Sequence, residues 1–297
     1  HAPGLTRHED HSMNTTSSRQ NDVQEALALL AQGRPADCEA ALRRVLRRHE
    51  NDVLCRAVCL DGLGRALFAL RRPVEALDAL EQSLRLLRGQ ADASRSSLPL
   101  LPGVMQNLAH VRLALGRAEE SLALGREAAQ LAEQIFGPDS PRLAGALLRL
   151  SAAYYRGRDF DEAERLMLRA KAIWEAQDGP VPPELGVCLN NLGRICEERG
   201  QFTEGIALHR RAVALRRELL GEHEDTAFSL GNLGVALASD GQWEEAAAVL
   251  AEAMGLYTRL GKGESPEAVG YRANLAVCRE ALQARRAVRS AAAEHLK

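Results

Sequence analysis

The sequence predicts an all-α fold, a solenoid of about six antiparallel helix pairs closed by a C-terminal capping helix. Three observations carry that expectation. Ala and Leu dominate a chain of 297 residues that is 46% hydrophobic but only 4% aromatic, a composition suited to helices packed through small side chains. Small residues return at Gly64, Ala109, Ser151, Gly193, Gly234 and Ala276, with steps of 45, 42, 42, 41 and 42. Two more small-residue columns keep the same register: Cys38, Ala76, Ser121, Ala163, Gly205 and Ala246, then Val45, Ser83, Ala128, Ala170, Ala212 and Ala253. A fixed period of this length marks stacked supersecondary units, none of which can bury its apolar face alone.

Taken in order, residues 1–20 read as an added first residue and a disordered N-terminus, with a native start near Met13; a cleaved export signal is the alternative. The cluster His8, Glu9, Asp10 and His11 lies in that stretch and is not assigned to a metal. The array occupies 21–282, with repeats near 22–50, 52–88, 98–137, 139–178, 182–221 and 223–262 and a half repeat at 265–282. Inside each repeat the pattern is helical. Leu189, Leu192, Gly193 and Cys196 follow i, i+3, i+4, i+7, one stripe of a helix. A break follows at "ERGQF", and "TEGIALHRRAVALRREL" then resumes the periodicity. Gly33, Gly116, Gly200 and Gly241 occupy this break, where a left-handed helix end favours glycine. Phe160, Phe202 and Trp243 come just after it and can plug the corner between the two helices. The stretch 89–103, "GQADASRSSLPLLPG", is the best candidate for a flexible loop. Residues 283–297 lack the glycine turn and read as a capping helix or tail over the end of the stack.

Composition excludes several function classes. A formal charge of −2 gives no global attraction to nucleic acid or anionic membrane, and no apolar run approaches a membrane span. Six cysteines occur without a CxxC pair, as expected of small buried thiols in a reducing cytoplasm. Thirty-five of the 38 basic residues are Arg, a skew that suggests a high-GC bacterial genome. No GxxxxGK[ST], GxSxG, HExxH or GxGxxG is present, and "HED" at 223–225 falls in an inter-repeat loop. No catalytic residue, metal site or cofactor is expected, and His110 and His209 read as isolated.

The segment "LNNLGRICEERGQFTEGIALHRRAVALRRELLGEHED" resembles the tetratricopeptide repeat family. Its pattern of Leu-Gly/Ala, an aromatic turn and two Ala positions is met over roughly residues 22 to 282. The 42-residue period with "LNNL" between repeats is similar to the kinesin-light-chain-type subclass. The family's proline column is patchy: Pro141 and Pro266 fit, while Asp225 stands where proline is usual. The resemblance implies a right-handed superhelix that takes a protein or peptide partner in its concave groove. It implies no nucleic acid partner and no membrane insertion, and it leaves open a homo-oligomer or a sensor whose ligand changes the pitch. The family's carboxylate clamp is not matched, because Gln106, His110 and Asn191 stand where its Lys, Asn and Arg are needed.

Helix geometry assigns the groove face. At 100° per residue, Asn191 points roughly 150° away from the core stripe of Leu192, Gly193 and Cys196. Asn107, Asn232 and Asn274 share that offset. Two roles stay open for this column. Each amide can tie successive repeats together, or it can offer a donor and an acceptor to an extended peptide, as the resemblance implies. Arg65, Arg149, Arg156 and Arg194, with Tyr155, fall on the same face and could grip a segment with acidic character.

Overall fold

The structure, a computed structural model, describes residues 21–91 and 95–295, the side chains at 95, 96 and 289–295 excepted. The expectations for residues 1–20, including the His8–His11 cluster, lie outside the described residues. Thirteen α-helices are labelled here: α1 (21–31), α2 (Pro35–Arg48), α3 (Val53–Ala69), α4 (Pro73–Ala91), α5 (Leu101–Ala114), α6 (Ala118–Phe136), α7 (Pro141–Arg156), α8 (Phe160–Glu175), α9 (Glu184–Glu198), α10 (Phe202–Leu220), α11 (Glu224–Ser239), α12 (Trp243–Arg259) and α13 (Pro266–His295). Odd-numbered helices open a repeat and even-numbered ones close it. No strand occurs among the described residues, so the all-α repeat class predicted from the sequence is the observed one.

The chain forms two compact bodies that meet in sequence inside α8, between Leu166 and Met167. In the N-terminal body the first helix α5 packs against both α3 and α7; in the C-terminal body α11 packs against both α9 and α13. In the pairs α3/α4, α5/α6, α9/α10 and α11/α12 the first helix also packs on its own second helix. The small-residue columns are the contact points. Cys38, Ala76, Ala163, Ala246, Ala128, Ala170, Ala212 and Ala253 are all fully buried. Where the first column holds glycine, a large side chain of the second helix fills the space. A Cβ added at Gly64 would lie 2.5 Å from Leu80, and one at Gly234 would lie 2.6 Å from Leu250.

Helix ends follow local chemistry. Asp52 accepts from the Cys55 amide at the start of α3, and Ser140 accepts from the Arg142 amide ahead of Pro141 in α7. His223 of the "HED" stretch is likewise a cap: its Nδ1 accepts from the Asp225 amide at 3.2 Å. The turn between paired helices takes a left-handed residue, glycine at 33, 116, 200 and 241 but Arg71 and Arg158 in the other two described pairs (φ 62° and 61°). A side chain in that region costs about 1–2 kcal/mol, partly offset in Gly by the entropy of its unfolded chain. Arg71→Gly is therefore expected to stabilise the N-terminal body by about 0.5–1 kcal/mol, read as a higher midpoint in denaturant unfolding.

Two stretches differ from the sequence reading. The 89–103 segment is largely helical: α4 runs to Ala91, a 3-10 helix covers Arg95–Leu100, and α5 starts at Leu101; only 92–94 lie outside the described residues. The half repeat at 265–282 and the capping segment are one continuous helix, α13. Without a glycine turn, an Ala- and Arg-rich sequence simply continues the helix. The column that faces a second helix elsewhere changes character in α13. Leu60, Met105, Leu147, Leu189 and Leu230, all buried, give way to exposed Arg272 in α13.

Candidate functional site

In the N-terminal body the exposed sides of α3, α5 and α7 come together around one carboxylate. Asn107 Nδ2 donates to Asp61 Oδ1 at 2.8 Å, joining α5 to α3. Burial pushes the Asp61 carboxyl up, against the opposing pull of the Asn107 bond and of Arg65 and Arg149. His110 meets the Phe68 ring edge-on, with centroids 4.9 Å apart, and lines a narrow cleft with Gln106, Arg149 and Ala153. Burial, then Arg149 and Arg156, hold the His110 imidazole below its ordinary range. Tyr155 is half-buried against Phe160, centroids 5.4 Å apart. At neutral pH this face thus carries the exposed guanidiniums of Arg65, Arg149 and Arg156 beside a neutral imidazole.

The C-terminal body presents the remaining predicted residues. Along α9 the outward stripe is Val187, Asn191, Arg194 and Glu198; Asn191 is half-buried and the other three are exposed. The four asparagines of the column do not behave alike. Asn107 ties α5 to α3, and Asn232 Oδ1 accepts from the Tyr271 hydroxyl at 3.1 Å, tying α11 to α13. Asn274 donates to the Gly270 carbonyl of its own helix at 3.1 Å. The Asn191 amide makes no side-chain hydrogen bond among the described residues. The tie reading therefore describes two positions, and Asn191 is the amide left facing outward.

Sequence reasoning missed the neighbouring Asn190. Buried at 2% exposure, it donates from Nδ2 to Ser229 Oγ at 2.8 Å, and its Oδ1 faces His209 Nδ1 at 2.9 Å. The other ring nitrogen of His209 faces Glu197 Oε1 at 2.7 Å. Arg216 continues the chain, donating from one Nη to Ser229 Oγ and to the Asp225 carbonyl. So His209 is not isolated. A polar relay runs from Glu197 on α9 through α10 to the start of α11, and glycines make room for it. A Cβ at Gly193 would lie 2.6 Å from the His209 ring, and one at Gly186 would lie 2.9 Å from Arg216 Nε. Nothing here supplies a nucleophile reachable from solvent, since Ser229 is fully buried. No group of three or more His, Cys, Asp or Glu among the described residues is placed to hold a metal. No described helix is long and apolar enough to cross a membrane.

The helix-pair period, the small-residue contacts and the one-sided polar face have a counterpart among known families. The tetratricopeptide repeat model matches residues 19–89, 102–176 and 184–259, most of the sequence. The chain belongs to the tetratricopeptide repeat family. Within it, this repeat protein is similar to Protein KINESIN LIGHT CHAIN-RELATED 1 of Arabidopsis thaliana, 26% identical over 191 residues. That match covers 62% of this chain and 30% of the relative, so the chain spans about a third of that protein's length. Among solved structures, BtubC (BKLC) from P. vanneervenii superposes with a TM-score of 0.61 at 20% identity, covering 82% of this chain and 90% of the other. NprR in complex with its cognate peptide NprX also reaches 0.61, at 12% identity, covering 88% and 70%. At these identities the structures share the fold. Tetratricopeptide repeats serve as interaction scaffolds, and kinesin-light-chain-like families are generally non-enzymatic.

Proposed function

We propose that this tetratricopeptide repeat protein holds a segment of a partner protein on the exposed sides of its first helices, with no chemistry of its own. One observation carries the reading: in the N-terminal body, Arg65 and Arg149 face a single carboxylate, Asp61, that is already bonded to Asn107, and Arg156 joins Arg149 beside His110. Guanidiniums clustered on one face suit a ligand bearing Asp or Glu side chains, which they can bind in bidentate fashion. Phe68 and Tyr155 border the same surface and add apolar contact. In the C-terminal body, Asn191 and Arg194 offer amide and guanidinium donors to a backbone or an acidic side chain. The fold has precedent for the role, since NprR is solved with a peptide.

Display selection of peptides on the full chain, followed by titration, tests this. Selected peptides should be rich in Asp and Glu, weaken as salt rises, and bind Arg149→Ala/Arg156→Ala at least about tenfold more weakly. Peptides that bind wild type and the double variant equally, at any salt, would refute the assignment of this face.

A further inference from the structure

The same face contains one group whose charge is adjustable near neutral pH. His110 keeps part of its surface open to solvent while its ring sits in the cleft with Gln106 and Arg149, edge-on to Phe68. The charged groups set against it are Arg149 and Arg156 on α7, and Asp61 and Arg65 on α3 stand beside Arg149 in the same cluster. Asp61 is turned to Asn107, so the cations dominate what His110 senses. A third positive charge beside Arg149 and Arg156 is unfavourable while no ligand anion is bound there.

We infer that an acidic ligand docks on this face with uptake of a proton by His110, so that binding is proton-coupled. The inference rests on the reading of the face given above. A ligand carboxylate placed among Arg149, Arg156 and His110 offsets what burial and the two guanidiniums cost a charged imidazole, and it accepts a hydrogen bond from the protonated ring. Linkage then fixes the sign. A ligand that makes protonation easier must itself bind more tightly at lower pH, by the same free energy. The proton comes from solvent, one per site at most, so affinity rises by no more than about tenfold for each pH unit lost. His110 thereby makes capture of an acidic segment stronger in a mildly acidic setting, while the guanidiniums supply the part that does not vary.

The test is calorimetric titration of a display-selected acidic peptide, acetylated and amidated at its ends so that only side chains titrate. It is run between pH 5.5 and 7.5 in buffers of differing ionisation enthalpy. Proton uptake on binding and roughly three- to tenfold tighter affinity at the acid end are expected. His110→Gln, which keeps a polar side chain of similar reach, should lose both effects, its affinity for the peptide varying little between pH 5.5 and 7.5. Binding with no proton uptake, or uptake that persists in His110→Gln, overturns the inference and leaves the acidic-ligand reading standing. Failure of every acidic peptide to bind overturns that reading, and the inference falls with it.

Discussion

Asn190→Leu is expected to destabilise the C-terminal body by about 3 kcal/mol, read as a lower midpoint in denaturant or thermal unfolding. Leucine has the branched shape of asparagine and a larger volume, so the loss is not a cavity. It comes from polar partners in a dry interior: His209 Nδ1 is left without one, and Ser229 Oγ keeps only its bond from Arg216. His209 and Ser229 are fully buried, and each loses the hydrogen bond it makes to Asn190 at 2.9 and 2.8 Å. A buried donor or acceptor left unmade costs about 1–3 kcal/mol, and the unmade His209 Nδ1 together with the bond lost at Ser229 sets the size of the effect. The adjacent Asn191→Leu is the control. Its amide holds nothing among the described residues, so its effect on stability should stay within about 0.5 kcal/mol. Equal losses at both positions would mean that the relay from Glu197 to Arg216 contributes no specific stability.

Gly231→Ala should also weaken the C-terminal body, by about 2 kcal/mol, although alanine is the better helix former. Two effects oppose each other at this site. Helix propensity favours alanine by about 0.8–1.0 kcal/mol. Against it, the new Cβ would lie 2.1 Å from the Tyr271 ring, far inside contact distance, with further ring atoms at 2.2 and 2.5 Å. Tyr271 is 7% exposed and its hydroxyl holds Asn232, so it cannot swing aside without uncoupling α13 from α11. Overpacking of this kind costs about 1–3 kcal/mol and sometimes more, and it outweighs the propensity gain. Gly270→Ala, in α13 with no heavy atom within 4 Å of the new Cβ, should instead gain close to the full propensity term. If Gly231→Ala raises the melting temperature as Gly270→Ala does, the close packing of α13 on α11 is wrong.

Most of the scaffold can be read from the chain because a repeat writes its packing several times. Gly64, Gly193 and Gly234 recur at one phase, and in each case a large side chain of the following helix fills the gap: Leu80, His209 and Leu250. The outward aspect of Asn191 follows from its angle to Leu192 and Gly193, and the structure places it on the exposed stripe of α9. What each asparagine bonds could not be read that way. The partner of Asn107 is Asp61 and that of Asn232 is Tyr271, residues of other helices at other phases, so no single-helix pattern points to them. The buried relay did leave a signal. His209 occupies a column that elsewhere holds Leu80, Met167 and Leu250, and Arg216 one that holds Leu87, Trp174 and Tyr257, all buried. A polar residue in an apolar column announces either an exposed exception or a buried network, and only the fold decides between them. The 89–103 stretch misled for a different reason: its Gly, Ser and Pro residues favour turns locally, while Pro99 is accommodated in a 3-10 helix and Pro102 in the first turn of α5.

The account stands on the first-helix face of the N-terminal body as the place where a partner segment is held. The most direct measurement is photo-crosslinking of a display-selected peptide carrying a benzophenone side chain, with the attachment sites mapped by mass spectrometry. Attachment on α3, α5 and α7 near Arg65, His110, Arg149 and Arg156, lost in Arg149→Ala/Arg156→Ala, is the predicted result. Attachment confined to the second helices α4 and α6 or to the inter-helix turns, unchanged by those substitutions, would contradict it.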